Sequence, residues 1–237
     1  MDIGFYVDEA TEAGNGVLEV GCGTGRVLVQ IAKRGIGITG VDASPTMLKR
    51  CLARLVDEPP DVRRRVNLYE ADMRDFDLGD TFALAIIPFR PFQHLVEPGD
   101  QLSTLRAIHE HLDPGGRLVF DVFNPDLGRI AAGPSGETED TPETPLPDGR
   151  SFRRAAAVKA IHKVDQTVET ELIYYVTSPD GRTERLVHAF RMRWFSRFEL
   201  EHLLARAGFA VEAVYGNFDR SALTDDSPEM IFVAERH

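Results

Sequence analysis

The sequence predicts an α/β fold built on a largely parallel sheet with helices on both faces. Short, almost continuously apolar runs alternate with helical patterns through residues 1–124, and strands that are apolar throughout are typical of parallel sheets covered on both sides. The 237 residues suffice for one domain with an insertion. Hydrophobic residues at 43% and charged residues at 27% exclude disordered and fibrous classes.

The first half contains the strands and helices of the predicted sheet. Strands are expected at residues 17–20, 36–41, 66–71, 82–87 and 117–123, the last one after the turn 113–116. Helices are expected after the glycines of residues 21–25, from Ser44-Pro45 onward, and over about 100–112. The second of these helices carries apolar side chains that we expect on its buried side, namely Met47, Leu48, Cys51, Leu52 and Leu55.

The pattern changes after residue 124. Residues 133–150 contain four prolines among acidic and small residues, which indicates a mobile loop. Strand-like runs at 153–163, 167–177 and 185–195 predict a three-stranded antiparallel insert, and a helix capped by Ser196 leads to closing strands at 209–215 and 230–234. The predicted organisation is therefore a core of residues 1–124, an insert of 125–195, and a return to the core over 196–237.

Charge and cysteine content restrict the class of protein further. Lys and Arg number 27 against 38 Asp and Glu, so the formal net charge of −11 disfavours nucleic acid and anionic membranes as partners. The two cysteines, Cys22 and Cys51, cannot form a disulfide framework or a four-ligand zinc site. The acidic start does not resemble a secretion signal, and the apolar run 82–89 is too short to span a bilayer. We therefore expect a cytoplasmic protein.

Glycines between the first strand and the first core helix predict a ligand-binding loop. Gly21, Gly23 and Gly25 let a backbone approach a ligand closely, and the following helix offers free N–H groups. A dinucleotide fingerprint has its third glycine one residue later. This spacing, with an acid two residues before the first glycine, disfavours a nicotinamide-dependent reductase.

Three acidic residues near strand ends indicate which ligand this loop binds. Asp42 can accept both hydroxyl protons of a ribose, because a carboxylate is an acceptor with several lone pairs. Asp72 can accept an adenine amino proton while the thioether of Met73 contacts the ring, and Glu19 suits an ammonium group. Either Asp42 or Asp72 can also act only as a helix cap. S-adenosylmethionine carries an adenine, a ribose and an ammonium group, and it has no phosphates.

Four segments resemble the ligand motifs of class I S-adenosylmethionine-dependent methyltransferases. They are, in order, residues 17–25 (VLEVGCGTG), 40–44 (GVDAS), 70–73 (EADM) and 112–118 (LDPGGRL). The resemblance is strong over about residues 15–124, returns more weakly over 198–209, and is specific for the cofactor and the fold. It implies a Rossmann-like seven-stranded methyltransferase sheet with an antiparallel β insert after the fifth strand, and S-adenosylhomocysteine as product.

The resemblance also implies roles for individual residues. Glu19 would contact the methionyl ammonium, Asp42 would hold the ribose, and Asp72 with Met73 would hold the adenine. The remaining expected cofactor contacts are Gly21, Cys22, Gly23, Gly25, Ala43 and Pro88. Cys22 reads as a small loop residue and not as a nucleophile.

The segment after the fourth strand, residues 88–94, is the predicted acceptor side. Methyl transfer is an in-line displacement, so the enzyme must align the acceptor, exclude water and remove a proton, and no metal is required. His94 is a candidate general base or a histidine packed at a helix start. Candidate acceptor contacts, each with a core or surface role as the alternative, are Phe89, Arg90, Phe92, Asn124 and Trp194. Tyr6 is a candidate for covering the cofactor.

The predicted reaction is methyl transfer to an amine or hydroxyl of a small molecule. The antiparallel insert is reminiscent of glycine and sugar-amine N-methyltransferases, in which added strands cover the pocket or join subunits, so a homodimer through the insert is a further expectation. Two alternatives stay open: a tRNA-nucleoside methyltransferase, disfavoured by the net charge, and a non-catalytic module that binds S-adenosylmethionine.

Overall fold

The chain divides into two compact units in the computed structural model, which describes residues 2–14 and 16–237. One unit combines Met1–Asn124 with Ser196–His237, and the other is Pro125–Phe195. The first unit holds a seven-stranded sheet and the second a four-stranded antiparallel sheet. The predicted fold class is therefore confirmed.

The larger sheet contains β1 (Val17–Val20), β2 (Ile38–Asp42), β3 (Val66–Glu70), β4 (Phe82–Ile87), β5 (Leu112–Phe123), β10 (Phe209–Tyr215) and β11 (Glu229–Arg236). The smaller sheet contains β6 (Ser135–Pro145), β7 (Ser151–His162), β8 (Thr167–Thr177) and β9 (Thr183–Arg193). The helices are α1 (Asp2–Ala13), α2 (Leu28–Lys33), α3 (Pro45–Val56), α4 (Pro60–Arg63), α5 (Pro98–Glu110), α6 (Leu127–Ala132) and α7 (Arg197–Arg206), with a 3-10 turn at Pro91–His94.

Five parallel strands form most of the larger sheet, in the order β3-β2-β1-β4-β5. Val17 of β1 aligns with Ile38 on one side and Leu84 on the other. All four β1 residues are buried, and three of them are apolar, as expected for an interior strand covered on both faces. The chain runs outward through β2 and β3 and then returns to the other side of β1 with β4. Such a reversal opens a crevice at the carboxyl ends of β1 and β4, where ligands of this architecture bind.

The sheet is completed by the antiparallel hairpin of β10 and β11. Strand β11 lies between β5 and β10, with Ile231 opposite Asp121 and Phe232 opposite Phe120. Its first six residues are buried, as expected for a strand in the interior of the sheet. The closing hairpin expected at the sheet edge is confirmed.

Helix α1 was not predicted, because its apolar residues contact elements distant in sequence. Phe5 and Tyr6 are buried, and their rings meet edge to face at 5.3 Å. The buried Glu9 carboxylate lies 2.7 Å from the Arg220 guanidinium and 3.6 Å from that of Arg117. Ion pairing of this kind offsets the cost of burying a charged group in a helix.

The start of one strand and the buried face of one helix differ from expectation. Strand β5 begins at Leu112, and residues 113–116 form a bulge in it instead of a separate turn, with Gly115 at a φ of +77°. On α3, Met47 is 39% and Leu52 55% exposed. The buried face of this helix is therefore narrower than predicted, and Met47 and Leu52 lie outside it.

The smaller unit contains four strands where three were predicted. Residues 135–145, expected to be a mobile loop, form edge strand β6 beside β7. An edge strand tolerates prolines such as Pro142 because their missing N–H groups can face away from the partner. Register shifts along the β6–β7 pair accommodate the irregular sequence. Helix α6 was also not predicted, and Asp126 caps it by accepting the Arg129 N–H at 2.9 Å.

Within residues 2–14 and 16–237, none of the helices combines the length and apolar character needed to cross a lipid bilayer.

Candidate functional site

The glycine loop lies between β1 and α2 at the carboxyl edge of the larger sheet. The N–H groups of Gly21 and Cys22 donate to the Val41 carbonyl at 2.8 and 3.0 Å, which fixes the start of the loop. A Cβ on Gly25 would lie 2.4 Å from Cys51 Sγ, so a larger residue does not fit. Gly23 has a φ of +55° and nothing within 4 Å of its Cβ position. The loop therefore has a closed side against α3 and an open side at Gly23.

Asp42, at the end of β2, is fixed by two backbone donors. Its Oδ2 accepts the Gly23 N–H and its Oδ1 accepts the Ser44 N–H, both at 2.8 Å. Each oxygen keeps a second lone pair, since a carboxylate offers about four acceptor positions. Asp42 therefore orders the glycine loop and can still accept ligand hydroxyls. Ala43 follows it and is exposed.

Glu19 is a buried carboxyl group in β1, only 3% exposed. Among the described residues its Oε2 has no hydrogen-bond partner. Desolvation raises its pKa from 4.5 to about 8, against the opposing effect of the Arg26 charge. A buried acidic oxygen without a partner, beside the glycine loop, is the feature that a ligand cation would satisfy.

Asp72 follows β3 and is held by Arg74. The guanidinium contacts both carboxylate oxygens, at 2.6 and 2.9 Å, and these hydrogen bonds lower the pKa of Asp72. The adjacent Met73 reaches the glycine loop, because a Cβ on Gly21 would lie 3.6 Å from its Cε. Glu19 and Asp42 thus lie in neighbouring parallel strands, Asp72 follows the next strand, and all three are on the carboxyl side of the same sheet.

The residues fit S-adenosylmethionine in three respects. The orphaned Glu19 oxygen matches an ammonium, the fixed Asp42 carboxylate matches a ribose, and the open face at Gly23 allows close approach. Cys22 is buried, and desolvation raises the pKa of its thiol well above the usual range. Its thiol is thus protonated, and the side chain acts as a small buried packing residue of the loop.

A strained turn follows β4. Pro88 is buried, and then Phe89 and Arg90 have φ angles of +68° and +67°. Two consecutive bulky residues in the left-handed region are rare and persist only when surrounding contacts hold them. The Phe89 N–H donates to Asp121 Oδ1 at 2.8 Å, and the turn leaves the Phe89 ring 65% exposed.

A buried charge network holds this turn. Arg90 pairs with Glu229, lies 3.7 Å from Asp121, and stacks on the Phe123 ring at 3.8 Å. The Arg90 side chain is only 13% exposed, so its charge is paired with carboxylates of the protein and not with solvent. Desolvation raises the pKa of both Glu229 and Asp121, and the contacts with Arg90 act in the opposite direction.

Tyr6 does not lie over the site, because its side chain is fully buried. Its O–H donates to Asp121 Oδ1 at 2.5 Å, which joins α1 to β5. Desolvation and the Asp121 charge raise the pKa of Tyr6 well above its usual value, so it is a neutral donor. Asp121 was missed by sequence reasoning, and its only signal is an acid inside an apolar strand.

The cavity near the strained turn has a volume of about 290 Å³. Its lining residues are Asp2, Arg26, Phe89, Arg90 and Phe218. Of these, sequence reasoning named Phe89 and Arg90. It missed Arg26, although a charged residue directly after a glycine loop is a recognisable signal. Arg26 Nη2 lies 2.6 Å from Asp2 Oδ2.

The remaining predicted acceptor residues are not among those lining this cavity. His94 is exposed at the end of the 3-10 turn, and Phe92 is fully buried with its ring 5.3 Å from that of Phe120. Asn124 Nδ2 donates to the Ser227 carbonyl at 2.9 Å. Trp194 belongs to the smaller unit, where its backbone N–H donates to the Gln166 backbone carbonyl.

Comparisons with known proteins show which family this chain resembles. Residues 17–116 match a family model described as a methyltransferase domain. The dTDP-3-amino-3,4,6-trideoxy-alpha-D-glucopyranose N,N-dimethyltransferase of Streptomyces venezuelae is 31% identical over 221 residues, covering 91% of this chain and 84% of that protein. Cypemycin N-terminal methyltransferase of Streptomyces sp is 28% identical over 223 residues, covering 94% and 84%. The structure of the CcbJ methyltransferase from Streptomyces caelestis superposes with a TM-score of 0.81 at 25% identity, covering 100% of this chain and 94% of that one.

Proposed function

This chain belongs to the class I S-adenosylmethionine-dependent methyltransferases, and on that premise we propose that it methylates the amine of a small-molecule acceptor. The choice of an amine rests on one observation. The relative from Streptomyces venezuelae is 31% identical to this chain, and its name states N,N-dimethylation of an amino sugar. An amine attacks a methyl group through its own lone pair, so the acceptor needs only correct placement and removal of one proton.

The cofactor contacts are assigned by chemistry. Glu19 would bind the ammonium, Asp42 the ribose hydroxyls and Asp72 the adenine amine, with Met73 against the ring. Arg26, beside the glycine loop and lining the cavity, suits the carboxylate of the methionyl group. When bound, S-adenosylmethionine supplies a methyl group activated by a positively charged sulfur.

The acceptor side is assigned to the strained turn and its surroundings. The exposed Phe89 ring and Phe218 give the cavity apolar walls that exclude water. Asp121 and Arg90 do not contact the acceptor in this proposal. They hold the turn that keeps the Phe89 ring exposed. His94 stays the candidate base because it lies in the same segment, is exposed, and carries an imidazole that can accept a proton near neutral pH.

A panel of matched acceptors tests the proposal. The purified chain is incubated with S-adenosylmethionine and either a nucleotide-linked amino sugar, a peptide with a free N-terminus, or the corresponding hydroxy sugar. We expect S-adenosylhomocysteine release and a mass gain of one methylene on an amine. Transfer to the hydroxy sugar with none to any amine would contradict the choice of acceptor.

We also propose that the antiparallel unit joins two copies of the chain. On β9, Leu186, His188 and Phe190 alternate along the strand and therefore share one face, and Leu186 is 46% exposed. Light scattering after chromatography tests the dimer, and Leu186→Glu should give a monomer if this face is the contact. A cytoplasmic location stays a prediction that rests on the two free cysteines.

A further inference from the structure

Arg74 holds the carboxylate of Asp72 from three directions. Its Nε donates to Asp72 Oδ1 at 2.9 Å, its Nη2 donates to Oδ2 at 2.6 Å, and its backbone N–H donates to Oδ1 at 2.9 Å. An arginine that contacts both oxygens of a carboxylate fixes the plane of that group as well as its position. The orientation of Asp72 is therefore set by Arg74.

Arg74 has a second anchor on another element. Its Nη1 lies 3.2 Å from Oδ2 of Asp100, in the first turn of α5. The guanidinium thus spans from the end of β3 to the start of α5. Such a two-ended contact restricts the rotation of Arg74 and, through it, of Asp72.

The local turn alone does not explain this arrangement. The same Asp-x-Arg turn occurs at Asp148 and Arg150, between β6 and β7, where Arg150 Nε donates to Asp148 Oδ2 at 2.9 Å. That turn closes a hairpin of the smaller unit. The pair at Asp72 differs in its second anchor and in its place at the carboxyl edge of the larger sheet, beside the glycine loop.

We propose that Arg74 is a positioning residue that orients Asp72 to accept the exocyclic amine of adenine, and so gives the cofactor site its preference for adenine over a 6-oxopurine. This inference rests on the proposed assignment of Asp72 to adenine. Arg74 occupies two acceptor positions of Oδ1 and one of Oδ2, and the remaining position of Oδ2 can accept an N–H. A carbonyl oxygen at the same position of the purine would face the carboxylate as a second acceptor and would be repelled.

Removal of Arg74 should leave the fold intact. The side chains of Arg74 and Asp72 are 48% and 41% exposed, so solvent screens their attraction and the pair contributes little to stability. We expect the melting midpoint of Arg74→Ala to lie within about 2 °C of the melting midpoint of the natural chain. A change in ligand preference therefore reports on orientation and not on unfolding.

Calorimetric titration with two probes tests the inference. S-adenosylhomocysteine carries the 6-amino group, and S-inosylhomocysteine carries an oxygen in its place. The natural chain should prefer the first by at least about tenfold, the value of one charge-assisted hydrogen bond. Arg74→Ala should lose about tenfold in affinity for S-adenosylhomocysteine with little change for S-inosylhomocysteine. Arg150→Ala, which breaks the matched pair, should behave as the natural chain.

The outcomes separate this inference from the assignment beneath it. If the natural chain shows no preference, or Asp72→Ala keeps the preference, the assignment of Asp72 to adenine is wrong. If Asp72→Ala abolishes the preference while Arg74→Ala retains it, the role of Arg74 alone is overturned. An equal loss for both probes in Arg74→Ala also overturns it, because such a loss is unrelated to the amine.

Discussion

Replacement of Glu19 by Gln should stabilise the unliganded protein, and the gain should depend on pH. Glu19 is 3% exposed, and its Oε2 has no hydrogen-bond partner among the described residues. Desolvation raises its pKa in the folded chain to about 8 from an ordinary value of 4.5. Glutamine keeps the shape of the protonated acid and never ionises, so it removes the cost of ionisation.

The sign of the pH dependence follows from proton linkage. Between pH 4.5 and about 8 the folded chain holds a proton on Glu19 that the unfolded chain has released. The free energy of unfolding therefore falls as pH rises through this interval and levels off above about pH 8. The difference between 4.5 and about 8 corresponds to roughly 4–5 kcal/mol, of which roughly 3 kcal/mol is already lost at pH 7.

Urea denaturation of both chains at pH 5, 7 and 8.5 measures this dependence. We expect similar stabilities at pH 5 and an advantage for Glu19→Gln of roughly 3–4 kcal/mol at pH 8.5, or roughly 6–16 °C in melting midpoint. Glu212→Gln, at an exposed position on β10, is the control and should show little difference. A Glu19→Gln difference that is the same at all three pH values would refute the reasoning.

Four other outcomes are expected. Binding of S-adenosylhomocysteine at pH 7 should release a proton from Glu19, seen as a buffer-dependent heat; the same heat in every buffer would contradict a protonated Glu19. Asp42→Ala should weaken that binding by about 1–3 kcal/mol, because charged hydrogen bonds and loop order are lost, whereas unchanged affinity would show that the ribose lies elsewhere. Tyr6→Phe should cost about 1–3 kcal/mol in urea denaturation, since buried Asp121 loses a donor; an effect below about 0.5 kcal/mol would refute this. His94→Ala should lower kcat on the amine acceptor about 10²-fold, and a small effect would mean a packing role.

Local patterns predicted the core of the larger sheet well. Strands β1 and β4 occur at the predicted residues, and the helix after Ser44 begins with the expected cap, since Ser44 accepts the Met47 N–H. These elements are specified by residues close in sequence: apolar runs, a capping hydroxyl and a glycine loop. Because these strands could be predicted from local sequence, their carboxyl ends could also be predicted as the place where a ligand binds.

Elements with weak local signals were misassigned. Strand β6 was expected to be a mobile loop because its prolines and acids disfavour strands, but pairing with β7 supplies the structure. Helix α1 was not predicted, because the burial of Tyr6 depends on Asp121, 115 residues later. Pairing within a hairpin decided the structure of β6, and a contact distant in sequence decided the burial of α1, and neither is visible in the local preference of the segment.

The sequence by itself determined the parallel sheet, the glycine loop and the three acidic residues at its edge, because each depends on the order of neighbouring residues. Only the tertiary structure decided which partners the charges around the strained turn have. It placed Arg90 against Glu229 and Asp121, gave Asp121 the hydroxyl of Tyr6, and left Phe89 exposed. A charged residue's partner is chosen by distance in space and by exclusion of water, and neither is encoded in the spacing along the chain.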